Sequence, residues 1–334
     1  MSERFPSLET NNVPNHEQET PTENRRVQEL LTQGNEWLTA IDEEVLFSVM
    51  HEYLKKSGVE IDKKQLLPKN SVRLIYDLAH IGGTSSKGSI DINMAYVQDS
   101  FMSLLYIYVH EQLHQLTYVT HPTTESRLEQ HVGRLDLTTN IGLERISRSI
   151  VAGERDDGEL EILSDEQVRS FTLLNEGFTT QLTNEICIAY CTQTGQSKSL
   201  QETPLTIRNA YPEGTLYVDV LILFLHHLTS IPADTIRNAF THTYFTNGEI
   251  LPDELLSELQ SINIFQDAKP EIIRRILTQR FDTADPETIF NTFLLLSDAL
   301  PETQRSVFLD ELQTGPFTIY NQTLITQLEQ GGLE

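Results

Sequence analysis

Residues 100–118 read SFMSLLYIYVHEQLHQLTY, and the way this stretch folds decides the rest of the chain. Phe101, Leu104, Leu105, Ile107, Tyr108, Val109, Leu113 and Leu116 are spread around the whole circumference of a 3.6-residue helix. That pattern predicts a helix buried on most sides, not a surface helix with one apolar stripe. Set into it are His110, Glu111 and His114, in the order HExxH. Positions i and i+4 lie one turn apart on the same helix face, so both imidazoles can reach a single ion. The carboxylate between them projects near the open coordination position, where a water can lose its proton. The stretch holds no Lys, no Arg and no acid except Glu111. Two histidines and a glutamate in such surroundings carry a large desolvation cost unless something pairs with them, and a metal ion removes it.

Upstream, the pattern predicts helices over residues 23–33 and 37–56, the second stopped by Gly58. Val72, Leu74, Tyr76 and Leu78 alternate as in a strand. Gly82, Gly83 and Gly88 then bracket a turn, and Ile90 and Ile92 alternate with Asp91 and Asn93 in a second strand with one wet face. Downstream, residues 132–164 read as short strands, with Asp156, Asp157 and Gly158 as a hairpin turn between 149–151 and 159–163. A long helix is expected from Asp165 through Cys191, then a polar linker over 192–204. Six helices follow, over 212–228, 232–245, 252–261, 270–281, 286–299 and 301–313, each with a proline near its start. The expected fold class is α+β, mainly α, with a small twisted sheet, a buried active-site helix and a helical C-terminal portion.

The chain has 334 residues, 49 acidic against 24 basic, and a net charge of −25. A hydrophobic content of 38% supports a real core. The negative balance excludes the clustered Lys and Arg that neutralise nucleic-acid phosphates, and disfavours anionic lipid. Over residues 249–334 there are 15 acids and 5 basic residues, whereas the HExxH helix carries one acid. The acidity therefore reads as solvated surface away from the motif. The longest apolar run is 220–225, far short of the ~20 residues of a membrane span. The first 30 residues are polar and hold six acids, unlike a secretory signal. A cytoplasmic protein is the expectation, with residues 1–24 a disordered polar tail. Cys187 and Cys191 are four apart on a helix and read as small core residues in a reducing compartment.

With the HExxH helix as the anchor, the sequence resembles the zincin metallopeptidases, specifically the gluzincin branch. That resemblance implies one Zn²⁺ ion and a third ligand from a glutamate on a later helix. Residues 173–182, LLNEGFTTQL, look like the Asn-Glu-Gly segment of many members, which makes Glu176 the third ligand, 62 residues after His114. His121, His131 and Asp136 compete for that place. The metzincin pattern is not met, because Thr117 and Thr120 stand where it needs Gly and His. Some gluzincins support a histidine with an Asp four residues after the ligand Glu. Here that position is Thr180, so Asn175, Thr179 or Thr180 would orient the ligands instead. Gly177, costly inside a helix, asks for a packing reason, such as a helix crossing closely beside the metal helix.

The resemblance also places a tyrosine at the start of a helix after the Glu-bearing one, aimed at the developing oxyanion. Tyr211 fits that place, with Tyr217, His226 and His227 as alternatives. The strand around residues 88–94 corresponds to the edge strand that pairs with an extended peptide in zincins. The implied function is a zinc-dependent peptidase, with Glu111 as general base toward metal-activated water. The implied organisation is a metallopeptidase domain over 25–230 and a helical C-terminal lobe over 231–334. A zincin-like protein that binds peptides or a partner without cutting, a hydrolase of non-peptide amides, and a helical protein with a chance motif are the competing readings. The expected partner is a peptide or protein substrate, without nucleic acid or membrane insertion.

Overall fold

The computed structural model describes residues 21–78, 83–86, 88–97, 100–121, 128–129, 132–141, 143–154, 160–170, 172–196, 198, 211–246, 253–262 and 285–322. The fold is α+β and mainly α. Helix α1 (Pro21–Ala40) and α2 (Glu43–Lys55) open the chain. Residues 21–24, expected in the polar tail, are already helical. α1 also runs past the expected end near residue 33, because Gly34 lies where α1 meets the Met94 and Leu74 side chains; a Cβ there would come within 2.7 and 2.8 Å of them. The break falls instead at Asp42, whose side chain accepts from Glu44 N at 3.0 Å and Val45 N at 3.1 Å as the N-cap of α2.

Strands β1 (Val72–Ile75), β2 (Gly83–Ser86) and β3 (Ser89–Asn93) form a small sheet in the order β1-β3-β2. β1 runs parallel to β3, and β2 antiparallel to it. Ile90 and Ile92 are fully buried, and Asp91 on the other face takes a two-pronged bond from Arg73. Two expectations change here. Tyr76 and Leu78 lie beyond β1, and Leu78 is 74% exposed. The segment between the glycines is not a simple turn but strand β2, which makes β3 the interior strand. With both its edges paired, β3 has no free backbone to offer a peptide; the edge strands are β1 and β2.

Helix α3 (Phe101–Thr117) carries the HExxH motif. Two of its remaining motif-region positions fasten it. Gln112 accepts from Leu67 N (3.0 Å) and donates to Leu67 O (2.8 Å), and Gln115 accepts from Gly88 N at 3.2 Å. A second sheet follows: β4 (Tyr118–His121), β6 (Val132–Ile141), β7 (Glu144–Glu154) and β8 (Leu160–Ser170) in that order, with β5 (Leu128–Glu129) also on β6. These strands are longer than the sequence suggested. β8 continues through residues 165–170, which pair with 145–150 of β7, so the next helix starts at Thr172 and not at Asp165. The polar run 164–170 resembles a helix start, but the ladder to β7 satisfies its backbone first. The expected hairpin turn at 156–158 and the helix over 270–281 lie outside the described residues.

Helix α4 (Thr172–Gln193) returns through the core, with free, buried Cys187 and Cys191. Tyr190 on it accepts from Asp42 N at 2.9 Å, tying it to α2. α5 (Pro212–Thr229), α6 (Ala233–Thr246), α7 (Asp253–Ser261), α8 (Pro286–Leu296) and α9 (Glu302–Thr314) follow. α5 packs on α4 with one side and on α8 and α9 with the other, where Phe224 meets Phe293 at 5.5 Å and Phe308 at 5.8 Å. Among the described residues no helix is long and apolar enough to cross a membrane.

Gly177 finds its packing reason in α5, not in the metal helix. A Cβ on Gly177 would sit 2.1 Å from Gly214 O, and one on Gly214 would sit 2.7 Å from Leu173 O. The two backbones touch, and only glycine permits it. Gly177→Ala should therefore destabilise the fold by about 2 kcal/mol or more through overpacking. A urea midpoint equal to that of the wild type would contradict this crossing.

Candidate metal centre

α3 presents His110 and His114 one turn apart, and α4 brings Glu176 to meet them. His110 Nε2 lies 3.1 Å from His114 Nε2 and 3.1 Å from Glu176 Oε2. His114 Nε2 lies 3.4 Å from the same carboxylate oxygen. Tetrahedral zinc with bonds of ~2.05 Å holds its ligand atoms ~3.3 Å apart. The donor set therefore fits such an ion in type and in spacing. Among the described residues this is the one cluster of three potential ligands converging in this way. The side chains keep 12%, 9% and 14% exposure, so the cluster lies near the core yet can be reached from solvent. Burial alone would raise the Glu176 carboxyl; the charge on His114 and hydrogen bonds from His110 and His114 outweigh it and hold the group well below the ordinary carboxylate range.

Glu111, buried beside the triad on α3, is not part of it. Its side chain lies against β2: a Cβ on Gly83 would come within 2.8 Å of Glu111 Oε1 and 2.7 Å of Ile107. The absent side chain at position 83 thus makes room for the carboxylate, a requirement that the sequence alone did not reveal.

Tyr211 stands at the N-cap of α5, and its ring stacks on His110 with centroids 5.8 Å apart and planes 20° off parallel. It is 41% exposed, so its ring meets both the histidine and solvent. The contact between Gly177 and Gly214 sets the approach of α5 and hence the place of Tyr211. The alternatives lie elsewhere. Tyr217 is buried against Phe293 at 6.3 Å. His226 pairs with Ile231 O at 2.6 Å, and His227 with Glu311 at 2.8 Å. Of the competing third ligands, His121 and Asp136 fall on β4 and β6, and His131 lies outside the described residues. The glutamate from α4 is the residue that completes the triad.

The surroundings of Glu176 differ from the expected pattern. Asn175 accepts from Leu143 N at 2.9 Å, anchoring the first turn of α4 to the start of β7. Thr179 donates to Asn175 O at 2.8 Å and meets the Tyr244 hydroxyl at 2.7 Å. Tyr244, on α6, escaped the sequence reading, since nothing in a mostly polar helix 68 residues after Glu176 marks it. Its burial, and the charges on Glu176 and Glu111, raise its phenol well above the ordinary value, so it stays protonated.

Comparison with protein-family models, with curated proteins and with solved structures finds no match to this chain. What the structure supports of the zincin resemblance is the possible metal-binding triad of His110, His114 and Glu176. Equilibrium dialysis followed by metal analysis should find one zinc per chain in the wild type. Glu176→Ala should weaken binding by more than ~100-fold, beyond the usual cost of losing a merely supporting group. Unchanged tight binding would remove Glu176 from the ligand set.

Proposed function

We propose that this protein is a zinc-dependent peptidase of the zincin type. The observation that carries the reading is the convergence of two histidines and a glutamate from separate helices, with a second, uncoordinated glutamate beside them. A metal-binding protein without chemistry has no use for that second carboxylate in a buried helix.

Zinc held there would supply a Lewis acid toward a carbonyl and lower the pKa of a coordinated water from 15.7 toward ~7. His110, His114 and Glu176 would hold it, with one anionic and two neutral donors. Glu111 takes the proton from the attacking water and passes it to the leaving amine, a contribution of roughly 10²–10⁴-fold. Tyr211, next to His110, donates its hydroxyl to the oxygen on which negative charge develops. The substrate adds as an extended strand to β2, the edge strand of the small sheet that lies against Glu111 at Gly83. This replaces the role that the sequence assigned to residues 88–94.

Glu111→Gln should keep zinc and fold while losing at least ~10²-fold in kcat on a peptide library. Retained activity would eliminate the general-base role. Tyr211→Phe should lower kcat by about 10²-fold with little change in KM. An unchanged kcat would leave Tyr211 as a packing residue.

A further inference from the structure

Ile107, Glu111 and Gln115 follow one another at four-residue spacing and so form one stripe along α3. All three meet the hairpin made by β2 and β3. A Cβ on Gly83, at the start of β2, would come within 2.7 Å of Ile107 Cγ2 and 2.8 Å of Glu111 Oε1. At the other end of β2, Gly88 donates its N–H to Gln115 Oε1 at 3.2 Å. Gly88 lies in the turn between the paired residues Ser86 and Ser89, and its φ of +87° is in the left-handed region that glycine adopts without strain. Its N–H stands outside the ladder of β2 and β3 and is directed to α3 instead. His110 and His114 each precede a member of this stripe by one residue and turn to Glu176. α3 therefore presents the proposed ligands on one stripe and holds the hairpin with the next.

The geometry points to Gln115 as a substrate-positioning residue: its bond to Gly88 fixes the turn end of the hairpin on α3, and with it the distance of the β2 edge from the metal ligands. The inference rests on the peptidase reading, in which an extended peptide adds to β2 beside Glu111. β2 has four residues, Gly-Thr-Ser-Ser, with weak β-propensity. β3 is held independently, by its pairing with β1 and by the burial of Ile90 and Ile92. β2 pairs with β3 on one side and ends the sheet on the other, the side offered to the peptide. At its Gly83 end it is set against α3 by packing, which has no directional preference. The Gln115 bond adds direction, and it acts at the turn end. A strand that must be ordered as the peptide adds lowers the affinity; a strand held in place beforehand does not. Loss of the bond therefore weakens peptide binding and leaves the chemical step, whose atoms Gln115 does not touch. A glutamine that only stabilised the turn would change stability alone.

The probe is a fluorescent ten-residue peptide, chosen from a random library as one that the zinc-loaded wild type cleaves. Its Kd is measured by anisotropy in the Glu111→Gln background, where turnover does not interfere, and KM and kcat are measured with Glu111 intact. Gln115→Met keeps the length of the side chain and removes the acceptor; Gln115→Glu keeps an acceptor oxygen. Gln115→Met should raise Kd and KM about 5-fold, the size of one ordinary hydrogen bond, with kcat and zinc affinity as in the wild type. Gln115→Glu should recover the peptide affinity. Amide exchange of Gly88, followed by NMR, should quicken in Gln115→Met and slow when the peptide binds the Glu111→Gln protein. Wild-type Kd and KM in Gln115→Met, even with a lowered Tm, would make Gln115 a turn-stabilising residue and overturn the inference alone. If Gln115→Met does not fold, the Gly88 amide decides: exchange that does not slow on peptide binding overturns the inference. A zinc-loaded wild type that cleaves no peptide of the library would overturn the peptidase reading, and this inference with it.

Discussion

A helix buried on nearly every side is a poor place for two imidazoles and a carboxylate. Each polar group left without a partner there costs roughly 1–3 kcal/mol. Much of the architecture around α3 answers that one constraint. α4 delivers Glu176 to within 3.4 Å of both histidines. β2 provides a glycine where the Glu111 side chain needs room. Gln112, fully buried, is satisfied by both backbone groups of Leu67. The polar side chains of α3 therefore act as connectors that fix the helix against its neighbours.

The second structural requirement is a backbone-to-backbone contact. Where α4 and α5 cross, Gly177 and Gly214 leave no space for even one methyl group. The residue after Glu176 is thus the point of closest approach between the ligand-bearing helix and the helix that begins just after Tyr211. That arrangement ties the third ligand and the aromatic ring over His110 to one crossing. α5 then continues into the aromatic contacts among Phe224, Phe293 and Phe308, so α8 and α9 support the site through α5.

The small sheet shows how a single additional strand changes a functional assignment. β3 has the alternation of a half-exposed strand and immediately precedes the metal helix, which makes it attractive as a substrate platform. Its partners on both sides, β1 and β2, remove that possibility. β2 is short, rich in Gly, Thr and Ser, and weak in β-propensity. It is a strand because it pairs with β3 and lies along α3, which is information from outside its own four residues. The same holds for residues 164–170, whose polar composition suggests a helix start until β7 is there to pair with them.

The sequence by itself determined the helical nature of residues 101–117, the helix-turn spacing of His110 and His114, and the assignment of Glu176 as a candidate partner. The first two follow from periodicity and residue chemistry, which are local; the third rests on the resemblance of residues 173–182 to the gluzincin segment. Most helix boundaries after residue 211 were equally legible, since prolines and caps act within one turn. Tertiary structure alone decided that β3 is the interior strand, which helix needs Gly177, that Tyr211 stacks on His110 while Tyr217 enters the core, and that Tyr244 from α6 meets Thr179 one turn beyond Glu176. Each of these depends on where two segments distant in the chain come to lie. A contact of that kind leaves no periodic trace in either segment, because it is set by the packing of the whole core.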